Sequence, residues 1–127
     1  MTGGGKFANI PFLARPTRNV VWIKAARKDF ETFPPGARSQ LLVALTVIAE
    51  GDKPDIAKPL ASLGAGVMEL ALRHRSDAYR VVYVLQIAAD VWVIHAFQKK
   101  SKRGIKTPKA EIDVIIERLK RLKEQLR

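Results

Sequence analysis

The chain has 127 residues, no cysteine and a formal net charge of +11, with 23 Lys and Arg against 12 Asp and Glu. The length favours one domain, and the 47% hydrophobic content excludes a chain that is disordered throughout. The lack of cysteine excludes disulfide scaffolds, zinc–thiolate sites and thiol nucleophiles. No apolar run approaches the roughly 20 residues that span a bilayer, and the N-terminus lacks the apolar run of a signal peptide. We therefore expect a soluble, cytoplasmic protein. The positive charge indicates nucleic acid or ribosomes as its partners, or else an acidic protein or an anionic membrane surface.

An N-terminal arm, a strand and two helices are predicted for the first half of the chain. Residues 1–19 contain three consecutive glycines and two prolines, which predicts a flexible arm ahead of a single domain over residues 20–127. Residues 20–24 (VVWIK) are typical of a strand. Two helices are predicted next: residues 25–33, ending before Pro34, and residues 36–50, with a broad apolar stripe ending at Gly51. Residues 52–66, with two prolines and two glycines, indicate a loop.

Three apolar segments follow at close spacing, at residues 67–74, 78–87 and 91–98. They are rich in Val, Ile, Tyr and Trp, and three residues separate each from the next. Such short connections predict an antiparallel meander. Both faces of the second and third strands are largely apolar, so we expect the sheet to be covered on both sides.

A basic loop joins the meander to a last helix. From Gln98 to Lys109 the chain carries six basic residues and no acidic one, which fits either an ordinary solvated loop or a phosphate-binding loop. Thr107 is predicted to cap the last helix and Pro108 to begin it. In the residues that follow, apolar side chains recur at helical spacing and form one face of this helix. The predicted order is β-α-α-β-β-β-α, a small α+β domain with an antiparallel or mixed sheet.

Charged side chains interrupt the apolar strands. Glu69 and Arg73 are four residues apart, so alternation places both on one face of their strand. A charge in so apolar a strand is costly unless it is paired or lines a cleft. Glu69 therefore indicates either a structural ion pair, with Arg80 as its partner, or a functional site. His95 indicates either a core histidine or a catalytic one, and Tyr83 either a core residue or a base-stacking one.

These residue types suit RNA cleavage without a metal. Cleavage needs a base for the 2′-hydroxyl, cations for the phosphate and an acid for the departing 5′ oxygen. Arg, Lys, His and Tyr side chains supply all three roles. The sequence has no metal-ligand spacing, phosphate-binding glycine loop or nucleophile elbow. We therefore expect neither a metal nor a cofactor.

Four segments together resemble one protein family. They are residues 64–70 (GAGVMEL), 79–83 (YRVVY), 94–102 (IHAFQKKSK) and 107–109 (TPK), the last of these ahead of an amphipathic helix. They resemble the phage-derived, HigB-like branch of the RelE/ParE toxins of type II toxin–antitoxin systems. The resemblance extends from about residue 20 to the C-terminus.

The resemblance implies a RelE-like toxin fold and a ribosome-dependent, metal-independent mRNA endoribonuclease that inhibits translation. By position, Arg80 matches the strand arginine of such toxins that contacts the scissile phosphate, and Lys99 and Lys100 match a basic pair after the last strand. The catalytic candidates are thus Arg80, His95, Lys99 and Lys100, with Glu69, Arg73 and Tyr83 as secondary candidates. The residues expected to bind RNA and the ribosome are Lys102, Arg103, Lys106, Lys109, Arg118 and Arg121.

The resemblance also implies a partner and leaves two other functions open. The partner is a cognate antitoxin, expected to be a small helix-turn-helix protein with an acidic or amphipathic segment over the basic cleft. ParE members of the superfamily poison gyrase, so a gyrase-directed toxin is one alternative. A prophage-encoded regulator whose basic face binds nucleic acid is the other.

Overall fold

The computed structural model describes residues 17–85, 87, 89–100 and 106–126. In chain order the elements are β1 (Val20–Trp22), α1 (Lys24–Phe30), α2 (Pro35–Ala49), β2 (Ala57–Pro59), a 3-10 helix (Ala61–Leu63), β3 (Val67–His74), β4 (Asp77–Val84), β5 (Val91–Lys99) and α3 (Lys109–Gln125). Within these residues no helix is long and apolar enough to cross a membrane. Most of the predicted arm, residues 1–16, lies outside the described residues. Its last part is bonded to the domain, since the backbone of Arg18 donates to Ala49 and that of Asn19 accepts from Val91.

The five strands form one mixed sheet in the order β1-β5-β4-β3-β2. The pair β1–β5 is parallel and the other pairs are antiparallel, so the predicted α+β class and the meander are confirmed. Strand β2 is an addition, because residues 52–66 were expected to form a loop. It is a three-residue edge strand that ends at Pro59, and proline is tolerated at a sheet edge because its missing N–H faces no partner strand.

Apolar side chains cover both faces of the sheet, as the sequence predicted. The face toward α1 and α2 buries residues such as Leu41, Leu70 and Tyr83, and the face toward α3 buries residues such as Val82 and Ile115. The two apolar helix faces are narrower than their sequences indicated. Leu42 on α2 is 46% exposed and Ile116 on α3 is 47% exposed.

A β-bulge in β5 changes the alternation of its side chains. Val82 lies opposite His95 while the next residue, Tyr83, lies opposite Val93, so Ile94 is the extra residue. As a result Ile94 and His95 are both directed toward α3, whereas Val93 packs on the α2 side. Bulges re-aim side chains in this way at functional edges of sheets.

Candidate active site

The charged strand residues singled out in the sequence lie together on the face of the sheet that α3 covers. Arg80 lies on the central strand β4, two residues from Val82 and two from Ala78. Glu69 on β3 and His95 on β5 are the two neighbours of Val82 across the strands, and Arg73 and Lys99 are the two neighbours of Ala78. Strands in a sheet are about 4.8 Å apart. Along β4, Arg80 therefore lies midway between two sets of cross-strand neighbours. Glu69 and His95 flank Val82 on one side of it, and Arg73 and Lys99 flank Ala78 on the other.

Glu69 is the buried acceptor at the centre of these charges. Its side chain is fully buried, and its Oε1 accepts a 2.8 Å hydrogen bond from Arg80 Nη1. The Lys58 Nζ lies 3.8 Å from the same oxygen. A buried carboxylate is tolerated only when charged or hydrogen-bonding partners replace its water. Of the two alternatives for Glu69, the ion pair with Arg80 is thus present in the structure.

Thr107 bonds to Glu69 instead of capping α3. Its hydroxyl donates a 2.8 Å hydrogen bond to Glu69 Oε2, whereas Pro108 occupies the N-cap position without a side-chain capping bond. The predicted capping role of Thr107 is therefore wrong. A local pattern of Thr-Pro before a helix is ambiguous, because the same hydroxyl can bond a backbone N–H or a distant carboxylate. Here the buried charge of Glu69 is the stronger acceptor.

Lys99 lies at the end of β5 and is 6% exposed. Burial lowers the pKa of its ammonium group, and the positive charges of Arg80 and Lys58 lower that pKa further, while Glu69 opposes the shift. A lysine in such a setting releases its proton more readily than an exposed one. The next residue, Lys100, is exposed just beyond the strand.

His95 is held between two residues of α3. Its Nε2 lies 2.7 Å from Glu111 Oε1, and its Nδ1 lies 2.9 Å from Arg118 Nη1. Because a guanidinium can only donate, Nδ1 must be the acceptor, and the ring proton lies on Nε2 and is donated to Glu111. His95 is therefore neutral in this arrangement. Burial lowers its pKa, and the Arg118 charge adds to this, although the hydrogen bond to Glu111 acts in the opposite direction.

Arg118 extends this contact to the rest of the domain. It donates to the Ile94 carbonyl at 3.1 Å, and its Nη2 lies 3.7 Å from Asp29 Oδ2 on α1. The His95 ring also stacks on Phe97, with ring centroids 5.3 Å apart. His95 thus joins β5 to α3, and both of its ring nitrogens are engaged.

A pocket of 410 Å³ lies over Glu69, between the β2 edge of the sheet and the start of α3. Its lining combines lysine, hydroxyl and aliphatic side chains around the Glu69 carboxylate: Lys58, Pro59, Leu60, Ser62, Glu69, Lys106, Thr107 and Ile112. Lys58 was missed in the sequence because it lies in the segment predicted as a loop. The pairing of Lys58 with Glu69 across β2 and β3 has no signal in the sequence.

The other predicted catalytic candidates are not part of this contact network. Tyr83 is 1% exposed and packs in the apolar cluster on the α2 side of the sheet, where burial raises its pKa to about 12. Arg73 is exposed near the far end of β3. It lies on the same face of the sheet as Glu69, and like Lys99 it is a cross-strand neighbour of Ala78.

The predicted RNA-binding residues fall into four groups. Lys102 and Arg103 lie outside the described residues. Lys106 is exposed and lines the pocket. Lys109 and Arg121 are exposed and form ion pairs one helical turn along α3, with Asp113 and Glu117, whereas Arg118 is engaged in the His95 contacts.

Comparison with known proteins identifies a family and a fold. The family model described as "Phage derived protein Gp49-like (DUF891)" matches residues 28–120. A mutant of the E. coli toxin RelE in its free state is similar in structure, with 20% identity, a TM-score of 0.59, and coverage of 84% of this chain and 98% of that one. This likeness shows the RelE fold that the sequence predicted.

A second solved structure is less similar to this chain. It is the toxin–antitoxin complex RelBE2 from Mycobacterium tuberculosis, with 19% identity, a TM-score of 0.49, and coverage of 67% of this chain and 94% of that one. No curated protein matches the chain.

Proposed function

Because the chain belongs to the phage-derived Gp49-like family, a branch of the RelE/ParE-like superfamily, we propose that it is the toxin of a type II toxin–antitoxin system. We further propose that it is a metal-independent endoribonuclease that cuts mRNA on the ribosome and thereby inhibits translation. The observation that carries this proposal is the buried Glu69 carboxylate, which bonds Arg80, lies 3.8 Å from Lys58, interacts electrostatically with Lys99 and lines an open pocket.

The chemistry proposed is transfer of the RNA phosphate to the neighbouring 2′ oxygen. The neutral amine of Lys99 takes the proton of the 2′-hydroxyl, whose oxygen attacks the adjacent phosphorus. The bond from phosphorus to the 5′ oxygen breaks, which leaves a 2′,3′-cyclic phosphate on one product and a 5′-hydroxyl on the other. The exposed ammonium group of Lys100 supplies the proton that the departing 5′ oxygen takes up.

Arg80 is proposed to stabilise the charge that builds up on the phosphate. Its Nη1 already donates to Glu69, so the guanidinium is fixed in orientation before RNA binds. Donors that are fixed in advance stabilise a transition state without a reorganisation cost. Glu69 is thus proposed to position Arg80, and His95, whose two ring nitrogens are both engaged, is proposed to position α3.

The test uses the purified chain, translating ribosomes and a defined mRNA, with cleavage products mapped by primer extension. The wild type is expected to cut the mRNA within the ribosomal A site. The variant Arg80→Lys keeps the charge that Glu69 needs but loses the planar, fixed guanidinium, so its cleavage rate is expected to fall by about 100-fold or more. The matched control is Arg27→Lys on α1, whose side chain is exposed.

Two outcomes would overturn this proposal. The endoribonuclease assignment fails if the wild type leaves mRNA intact on ribosomes, and gyrase-dependent DNA breaks in the same cells would favour a ParE-like toxin instead. The site assignment fails if Arg80→Lys folds with an unchanged thermal transition and cuts as fast as Arg27→Lys.

We propose a cognate antitoxin as the partner, in the form of a small helix-turn-helix protein encoded next to this chain. The net charge of +11 favours an acidic partner segment. Co-expression of the neighbouring reading frame is expected to abolish growth arrest and to protect mRNA. Continued growth arrest in the presence of that protein would contradict the pairing.

A further inference from the structure

A second pocket lies on the face of the sheet opposite Glu69, where α2 begins and the hairpin of β3 and β4 ends. Tyr79, which lines it, belongs to the apolar cluster on the α2 side of the sheet. The volume of 410 Å³ lies within the range of about 300–1,000 Å³ typical of small-ligand sites. We call it the α2 pocket, and its lining consists of Pro34, Pro35, Gly36, His74, Arg75, Asp77 and Tyr79.

The start of α2 offers a backbone donor to the α2 pocket. The first turn of a helix leaves N–H groups without an intrahelical partner. Pro34 at the N-cap and Pro35 after it have no N–H, and the N–H of Arg38 bonds back to Pro34. The N–H of Gly36, a residue of the lining, is therefore one of the groups without a partner in the helix. The helix dipole adds partial positive charge at this end.

His74 packs against this first turn and provides a second donor. A β-carbon at position 36 would lie 2.6 Å from His74 Cε1 and 3.1 Å from its Nε2, so only a glycine permits this close approach. The His74 Nδ1 lies 3.3 Å from Gln40 Nε2. Because an amide nitrogen only donates, Nδ1 is the acceptor and the ring proton lies on Nε2. None of the described residues bonds to Nε2, so this N–H is open to a ligand.

Tyr79 provides a third donor from a buried position. Its ring contacts those of Phe33 and His74, with centroids 4.8 Å and 6.4 Å away, and the residue is 4% exposed. Within the part of the chain that the structure describes, its hydroxyl has no hydrogen-bond partner. The hydroxyl is therefore left to a ligand in the pocket that Tyr79 lines.

Positive charge prevails around the α2 pocket. Arg75 lines it, Arg73 lies two residues earlier on β3, and both are exposed. Asp77 is the acidic residue of the lining. Because Asp77 is also exposed, water and salt screen its charge. The three donors thus lie in a region of net positive charge, which favours an anion.

We propose that the α2 pocket is a phosphate-binding site, in which phosphate oxygens accept from Gly36 N, His74 Nε2 and the Tyr79 hydroxyl. Helix N-termini bind phosphate through N–H groups of this kind, and Arg75 neutralises the charge. An RNA strand and a small phosphorylated molecule both carry this chemistry. The inference goes beyond the proposed function, because this site lies on the opposite face of the sheet from Glu69 and takes no part in cleavage.

The first test measures phosphate binding to the full chain by NMR. Sodium phosphate is added at constant pH and ionic strength, and the resonances of the Gly36 amide and the His74 ring are followed. Both are expected to shift along saturable curves with one common affinity, while chloride at the same concentration leaves them in place. If phosphate shifts neither resonance, or shifts them without saturation, the site is overturned.

Removal of one hydroxyl tests the assigned contacts. Tyr79→Phe loses only a hydroxyl that has no partner among the described residues, so its thermal transition is expected to match the wild type. Its phosphate affinity is expected to fall by about 10-fold, the lower end for a hydrogen bond to a charged group. The matched control is Tyr83→Phe, since Tyr83 is buried in the same apolar cluster but does not line the α2 pocket. Equal affinities in both variants would overturn the proposed site.

A substitution in the lining is expected to change the affinity in the opposite direction. Asp77→Asn removes the acidic charge from the lining, so it is expected to bind phosphate more tightly, by up to about 5-fold for an exposed charge. Weaker phosphate binding in Asp77→Asn would contradict an anion as the ligand.

The source of the phosphate is identified with a single-stranded RNA, whose binding is measured by fluorescence anisotropy. If RNA is the source, Arg75→Ala lowers the slope of log affinity against log salt concentration by about 0.7, the value for one phosphate contact. An unchanged slope, with inorganic phosphate still bound by the wild type, assigns the site to a small phosphorylated molecule. Neither measurement requires cleavage, so the site is tested independently of the endoribonuclease proposal.

Discussion

The Thr107 hydroxyl bonds the Glu69 carboxylate at 2.8 Å although the two residues are 38 positions apart. Thr107 lies at the end of the basic loop, directly before α3, and Glu69 lies within β3. The other oxygen of the same carboxylate accepts from Arg80. The end of the basic loop is therefore coupled through one carboxylate to the arginine proposed to contact the scissile phosphate.

Removal of the Glu69 charge is expected to destabilise the domain strongly. Glu69→Gln leaves the buried Arg80 without its carboxylate partner, and breaking a buried pair from one side costs about 3–5 kcal/mol. Urea unfolding followed by circular dichroism measures this change. The control is Glu117→Gln, because the pair of Glu117 with Arg121 is exposed and such pairs contribute at most about 1 kcal/mol. Equal losses in the two variants would contradict the role of Glu69.

Substitution of Lys99 by Arg distinguishes proton transfer from charge stabilisation. Arginine keeps the positive charge but does not release its proton. If Lys99 is the base, Lys99→Arg is expected to lose about 100-fold or more in cleavage rate while it binds RNA as tightly as the wild type. The measurement is single-turnover cleavage together with RNA binding by fluorescence anisotropy. A Lys99→Arg enzyme of near wild-type rate would assign Lys99 a purely electrostatic role.

The pH dependence of cleavage is expected to follow the lowered pKa of Lys99. The amine acts as a base only when neutral, so the rate rises with pH. The midpoint of this rise is expected below 10.5, the ordinary pKa of a lysine. The rate would be measured over the alkaline range in which the ribosome remains intact. Because Lys100 must keep its proton to act as the acid, the rate falls again at high pH. A rate that already falls as pH rises toward about 9, below the ordinary pKa of a lysine, is incompatible with Lys99 as the base.

His95 is expected to make stability depend on pH under mildly acidic conditions. Its pKa in the folded state lies below the ordinary value of 6.5, so the unfolded chain takes up a proton at a higher pH than the folded one. The contribution of neutral His95 is therefore complete above about pH 6.5 and is lost as pH falls from there toward the lowered pKa.

The measurement for His95 is urea unfolding at pH 7.5 and at pH 5.0. His95→Gln cannot titrate, so the difference in unfolding free energy between the two pH values is expected to be smaller than in the wild type. Nitrogen-15 NMR of the histidine ring checks the tautomer, with the proton expected on Nε2. A proton on Nδ1 at neutral pH would contradict the contact with Arg118.

Lys106 is expected to contribute to RNA binding through charge alone. It is exposed at the rim of the pocket, so Lys106→Ala should weaken binding of single-stranded RNA equally for different sequences. The slope of log affinity against log salt concentration should fall by about 0.7, the value for one phosphate contact on a single strand. Lys24→Ala, an exposed lysine on α1, is expected to leave the slope unchanged. Equal slopes for both variants would exclude Lys106 from the interface.

The sequence by itself determined the elements that depend on local pattern. Alternating apolar residues and short turns specified the meander, and the apolar spacing of residues 112–122 specified α3. The ion pair of Glu69 with Arg80 was one of two alternatives that the sequence left open, since a charge inside an apolar strand is costly unless it is paired or lines a cleft. Edge strand β2 was missed, because three residues ending at Pro59 carry too little β pattern to be distinguished from a loop.

The tertiary structure alone decided which charged groups meet. Thr107 and Glu69 are 38 positions apart, and His95 is 23 positions from Arg118, so no local spacing relates them. The bulge at Ile94 sets the direction of His95 relative to the first part of β5, Val91 and Val93, and local sequence does not encode its position. Long-range contacts of this kind depend on how α3 and β2 pack on the sheet. These surroundings then determine what each group can do, since the Arg118 contact keeps His95 neutral between strand and helix and burial lowers the pKa of Lys99.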